Sequence, residues 1–348
     1  MDNRNLASAL TLRGFPNGLV EVGYRPRRPC CNSPVGMESS EPSIMADPMN
    51  QHRIYRLTSI GRPLDRSYAT NRAVSRLMPL AGIAAGAAAA LRGDSGAQIA
   101  VAVLAGVIVV FGAWALAREL VPDDNPAAFL SMVLAFATLL LVDSPSLLLL
   151  VATLLLVRIV NRSVGLAARI SDSILAVGLN ISAIYSTHSP LLGVVGALAF
   201  AFDALLRDGQ RHQWVFAALC LAGTGVFGLQ HGIGVGDAAP LPGLVLGSVA
   251  AISVLYVVMI TLTRRIDSSG DATGAPLSLS RVRGGMVIGL LAASQALILG
   301  PSGVNAASIV WATLAGVAVA RVRTSFSGGS TVSVEPSDRG DPENRTER

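Results

Sequence analysis

The chain has 348 residues, 51% of them hydrophobic and 14% charged, with mean hydropathy +0.55 and formal net charge +5. Soluble proteins carry about 25% charged residues, and a soluble fold could not cover runs this apolar with the polar surface present. A soluble enzyme, a disulfide scaffold and a mostly disordered chain are set aside on this ground. All 27 basic residues are arginine. No basic face is interleaved with aromatics, so nucleic acid is not an expected partner.

Residues 1–52 are polar and broken by Pro, Gly and Ser, which is the composition of a disordered tail. Met45 and Met49 are alternative starts within it. Cys30 and Cys31 lie in this tail and Cys220 in an apolar run, a placement that makes neither a disulfide framework nor a metal site. Residues 53–76 form an Arg-rich juxtamembrane segment holding Arg53, Arg56, Arg62, Arg66, Arg72 and Arg76. Such a cluster sets topology and can hold anionic lipid headgroups.

The transmembrane domain is expected over 77–320. Ten apolar runs fall at 77–91, 96–117, 127–142, 146–160, 173–187, 190–206, 214–230, 243–263, 284–300 and 304–320. They predict an all-α fold, a polytopic bundle of about ten transmembrane helices arranged as successive hairpins. A span needs about 20 residues to cross roughly 30 Å of hydrocarbon. The runs 96–117 and 243–263 reach that unaided, while shorter ones need polar ends or a thinned bilayer. The Ala-rich first run is the weakest, so eight spans is the alternative count. Residues 321–348 form a second polar tail, expected to be disordered.

Arginine alternates with its absence between the runs. The 118–126, 158–172, 207–213 and 264–283 loops carry it, the 92–95 turn has one, Arg92, as the exception, and the turns at Asp143, His188 and Pro301 and the 231–242 loop do not. The positive-inside rule then puts the Arg-bearing loops and both termini in the cytoplasm, with the chain in the inner membrane. Pro145, Pro190, Pro240 and Pro301 mark the outer turns. Glycines spaced by four (Gly82 and Gly86, Gly243 and Gly247, Gly285 and Gly289) let helices approach closely. They pack the bundle internally, or join copies into a homo-oligomer.

The expected cytoplasmic face gathers Arg118, Glu119, Asp123, Asp124, Arg158, Asn161, Arg162, Asp172 and Arg207. Capping and topology explain most of these. Asp124 or Asn125 before Pro126 suits a helix start, Ser171 or Asp172 suits the next, and Asp203 and Arg207 make an i,i+4 pair. The functional reading is a charged vestibule, with Asp123, Asp124 and Asp172 as carboxylates for a divalent metal. Asp203 lies about one turn inside its span and is an expected proton or cation site. Asn180 and Gln295 fall near the middles of their runs, where they act as interhelical glue or as substrate contacts. Gln230 belongs to the stretch GTGVFGLQHGIGVGDAAPLPG, whose glycines suit an unwound outer segment or a flexible loop.

No metalloprotease, P-loop or serine-hydrolase motif occurs, and no cofactor is implied. His52, His188, His212 and His231 are scattered along the chain and are not expected to share a metal. Three functions remain open: a small-solute or ion transporter or permease; a non-catalytic scaffold or accessory subunit; and a membrane-embedded metal-dependent enzyme acting on a lipid phosphate.

Overall fold

The computed structural model describes residue 55, residues 57–232 and residues 240–327. Residues 1–54 (Arg53 among them), Arg56, residues 233–239 of the glycine-rich stretch and residues 328–348 lie outside the described residues, whereas residues 321–327 of the expected C-terminal tail continue a helix.

The described chain is all helical, without strands. Ten helices follow in order: α1 (Ala69–Leu91), α2 (Gly96–Leu120), α3 (Asn125–Leu141), α4 (Leu147–Asn161), α5 (Ile170–Thr187), α6 (Leu191–Leu205), α7 (Gln213–His231), α8 (Gly243–Leu262), α9 (Leu279–Ser294) and α10 (Gly300–Ser327). Each overlaps one apolar run, because in a run without polar punctuation the only way to satisfy every backbone N–H and C=O is the helix. Local signals fix several starts. Asp124 caps α3, its Oδ1 accepting from the Ala127 N–H at 3.0 Å, and Ser146 caps α4 by accepting from the Leu149 N–H at 3.2 Å. The start of α5 differs from expectation. It begins at Ile170 with Arg169 as N-cap, so Asp172 sits in the first turn and is freed for other partners.

Five helical stretches are long and apolar enough to cross a membrane: Ala69–Leu91, Gly96–Leu120, Gln213–His231, Gly243–Leu262 and Leu279–Val322. The last folds back on itself. A 3-10 turn at Gln295–Leu299 is followed by Gly300 at φ +64°, a conformation that suits a residue without Cβ. Arg281, near the start of α9, meets Asp203, and Gln295 beyond its end meets Ser189. Ala306 and Thr313 of α10 then meet Ser146 and Ser131 in turn, so α10 runs antiparallel to α9.

The shorter helices are explained by where they lie. α4 has 15 residues, about 23 Å at 1.5 Å per residue, and eleven of them are buried, from Leu149 to Asn161. It packs on α2, α5, α6, α9 and α10 and need not meet lipid along its length. By contrast α8 buries only Val249, Tyr256 and Met259, and exposes Leu244, Leu246, Val254 and Leu262. Helices that are apolar all round and this exposed suit a hydrocarbon solvent.

Sequence neighbours are not always packing neighbours. α1 lies on α2, α2 on α3, and α6 on α7, but α3 packs chiefly on α10, and α4 on α9. α3 and α4 share a short turn without forming a substantial interface, and so do α7 and α8 across their linker. Of the expected hairpins, α1–α2, α5–α6 and α9–α10 pack as pairs, while α3–α4 and α7–α8 do not. The α3–α10 contact is close because Gly316 has no side chain: a Cβ there would lie 2.5 Å from Ser131 Cα.

Candidate functional site

The Arg-bearing loops and the segment before α1 converge at one end of the bundle. Asp203, near the end of α6, is fully buried. Arg162 grips it with two parallel bonds, Nε to Oδ1 at 2.7 Å and Nη2 to Oδ2 at 2.9 Å, and Arg281 Nη1 adds a third at 2.8 Å. This is the geometry in which guanidinium–carboxylate bonds are strongest. Arg281 also donates to the carbonyls of Val160 and Arg207, at 3.0 and 2.7 Å. The expected Asp203–Arg207 pair does not form. α6 ends at Leu205, so Arg207 lies beyond the helix where i,i+4 geometry no longer applies. The Arg207 side chain is exposed, and only its carbonyl joins the cluster.

A second cluster surrounds Glu119, in the last turn of α2. Its Oε1 accepts from Arg158 Nε and Ser163 Oγ, both at 3.0 Å, and lies 3.6 Å from Arg62 Nη1. Its Oε2 is buried and has no hydrogen-bond partner among the described residues. Asn161 donates from Nδ2 to the Glu119 carbonyl at 2.7 Å, joining the ends of α2 and α4. Gly285 of α9 makes room for this amide: a Cβ there would lie 2.0 Å from Asn161 Oδ1. Arg118 is bonded to Asn125. Burial alone would lower the pKa of the Arg62 guanidinium, but Glu119 and Asp271 raise it above its ordinary value.

The segment before α1 straps across this end. Asp172 accepts from Thr58 Oγ1 at 2.7 Å, Ser59 N–H at 2.7 Å and Ser59 Oγ at 2.6 Å. The Ile60 carbonyl accepts from Arg158 Nη1 at 3.1 Å, and Arg62 Nη2 reaches Asp271 Oδ1 at 2.8 Å. Ser59 and Ile60 of the strap are themselves buried. Asp123 in turn holds the 263–278 loop, accepting from Asp267 N–H at 3.1 Å and Ser268 N–H at 2.8 Å.

The three carboxylates offered as metal ligands each have a structural partner. Asp123 holds a loop, Asp124 caps a helix and Asp172 holds the strap. Among the described residues no group of three His, Cys, Asp or Glu side chains is placed to ligate a metal. Thr58, Ser59, Ser163, Asp271 and Arg281 belong to the site but are not legible as such in the sequence. The one usable signal is Arg281, an arginine at the mouth of an apolar helix where an unpaired charge is costly.

The uncharged polar residues lie elsewhere. Asn180, fully buried, donates to the Leu192 carbonyl at 3.2 Å and ties α5 to α6. Its Oδ1 has no hydrogen-bond partner among the described residues. Gln295 is not at mid-span: α9 ends at Ser294, and Gln295 opens the 3-10 turn at the end opposite the charged cluster, where it accepts from Ser189. Gln230 also lies at that end, accepting from Tyr185 at 2.7 Å. Beside it an aromatic group forms between the ends of α5 and α7. Phe227 and His231 stack at 4.5 Å, Tyr185 stands edge-on to both, and His188 and His231 have ring centroids 6.1 Å apart. His188 and His231 meet here because the left-handed C-cap at His188 (φ +52°) closes α5 beside the last turn of α7.

No protein-family model, curated protein or solved structure matches this chain. What the fold defines is a class: an all-helical protein with several helices suited to a membrane.

Proposed function

We propose that the chain is a ten-span inner-membrane protein with its charged end and both termini in the cytoplasm, and that it is a transporter or permease for a small solute or ion. The topology is supported by the gathering of the Arg-bearing loops at one end, as the positive-inside rule requires. Exposed Arg66, before α1, and Arg76, within its first turns, are its contacts for anionic lipid headgroups. Reporter fusions after Thr187 and Asp271 check the threading; equal signals from the two would overturn it.

The observation that carries the transport reading is a set of buried oxygens without a hydrogen-bond partner among the described residues: Glu119 Oε2, Asp124 Oδ2 and Asn161 Oδ1 at the charged end, and Asn180 Oδ1 between α5 and α6. A buried acceptor without a partner is costly, and polar groups inside a membrane bundle mark pathways for ions and solutes. Asp203 has a different part, since three arginine N–H groups occupy its two oxygens.

The test is flux into proteoliposomes holding the purified chain. Protons are reported by an entrapped pH dye under an imposed potassium diffusion potential, and Na⁺ and K⁺ by isotope uptake. Flux above that of protein-free vesicles, lowered in Glu119→Gln and Asn180→Ala, is expected. Flux at background for all three ions would favour the scaffold reading. That reading is supported by the open face of α8, where nothing lies within 4 Å of a Cβ built at Gly243 or Gly247.

A further inference from the structure

We propose that His188 and His231 form a binding site for one divalent transition-metal ion, of the class Zn²⁺, Ni²⁺ or Cu²⁺, at the end of the bundle opposite the charged cluster. Imidazole suits these ions. Both rings are exposed to the surroundings, and they come from different helices, α5 and α7, whose ends meet there.

Three observations carry the proposal. The first is separation. With metal–nitrogen bonds of about 2.1 Å, two imidazoles sharing one ion have ring centroids roughly 5–6 Å apart. The observed 6.1 Å is within a small side-chain rotation of that. The second is the tautomer of His231. Its Nδ1 lies 3.3 Å from the Phe227 carbonyl oxygen. Two lone pairs would repel at that position, so Nδ1 carries the hydrogen and Nε2 holds the free lone pair. A ligating histidine whose other nitrogen donates to a backbone carbonyl is the usual outer-shell arrangement of a metal site. The third is that the rings are held. His231 is stacked on Phe227 at 4.5 Å and met edge-on by Tyr185 at 5.7 Å, and Tyr185 is itself anchored by its bond to Gln230. His188 stands edge-on to Phe227 at 6.1 Å, and its left-handed backbone, which non-glycine residues seldom adopt, sets where its Cα stands.

Two protein ligands leave the remaining coordination positions to water. The site is therefore an exchangeable one rather than a closed structural one. It stands independently of what the protein carries across the membrane.

The test is Cu²⁺ titration of the purified full chain in detergent, followed by electron paramagnetic resonance. One copper per chain with the hyperfine pattern of two imidazole nitrogens is expected, displaced by excess Zn²⁺. His188→Asn keeps a residue tolerant of the left-handed backbone but removes the imidazole. It and His231→Gln should each weaken binding about tenfold or more and reduce the pattern to at most one nitrogen. His212→Ala, at the other end of the bundle, should change neither. Copper binding left intact in both His188→Asn and His231→Gln would overturn the proposal, as would the absence of imidazole coupling in the unaltered chain. Monodispersity by gel filtration separates lost binding from lost folding.

Discussion

Replacing Asp203 by asparagine removes the charge that holds two arginines together at the charged end. Arg281 is 6% exposed and the Arg162 side chain 10%, so neither can turn fully into water once the carboxylate is gone. Each bond from a charged donor is worth about 1.5–3 kcal/mol, but the three share one acceptor and do not add. Breaking one side of a buried ion pair costs about 3–5 kcal/mol, chiefly through the charge left behind, and that is the loss expected here. Reversible unfolding in bicelles, followed by fluorescence of Trp114, Trp214 and Trp311, measures it. Arg207→Ala should change stability by no more than about 0.5 kcal/mol, as at any exposed site. A loss below about 1 kcal/mol for Asp203→Asn, or an equal loss for Arg207→Ala, would refute the reasoning. Arg281→Met combined with Asp203→Asn should be less destabilised than the sum of the two, because the groups are coupled.

Gly316→Ala drives a methyl into the backbone of Ser131 and should cost about 1–3 kcal/mol in the same unfolding assay. Gly247→Ala meets nothing within 4 Å and should stabilise α8 by about 0.5–1 kcal/mol. In a chain with Cys30, Cys31 and Cys220 replaced by serine, a cysteine at buried Ile60 should react slowly with a membrane-impermeant maleimide. Asp172→Ala, by loosening the strap, should speed that reaction, while a cysteine at exposed Leu57 stays fast throughout. Asp271→Ala, which removes only a partly exposed partner of Arg62, should cost less than about 1 kcal/mol, and less still at high salt.

The sequence was most legible where the solvent decides the structure. Ten greasy runs became ten helices because a run without polar side chains leaves its backbone N–H and C=O groups no partner but each other. The gathering of the Arg-bearing loops at one end was legible in the alternation of Arg-bearing and Arg-free connections. The exact ends were less legible. α9 stops at Ser294, so Gln295 left the mid-span position its run suggested. Partner choice was least legible of all. Arg207 is four residues from Asp203 and misses it, while Arg281, 78 residues away, reaches it. Nothing local distinguishes them; the outcome depends on where α6 ends and on α9 packing against α4 and α6. The strap was hidden for the same reason, since Thr58, Ser59 and Asp172 are ordinary polar residues until the chain brings them together.

The pairing of α3 with α10 bears on how the protein is made. Ser131 donates to the Thr313 carbonyl 182 residues further along, and Arg62 waits for Asp271, 209 residues on. A chain leaving the ribosome from its N-terminus must therefore hold α3 with one flank unclothed until α10 arrives. Nascent chains truncated before α10 should thus be the form that chaperones and quality-control proteases hold longest.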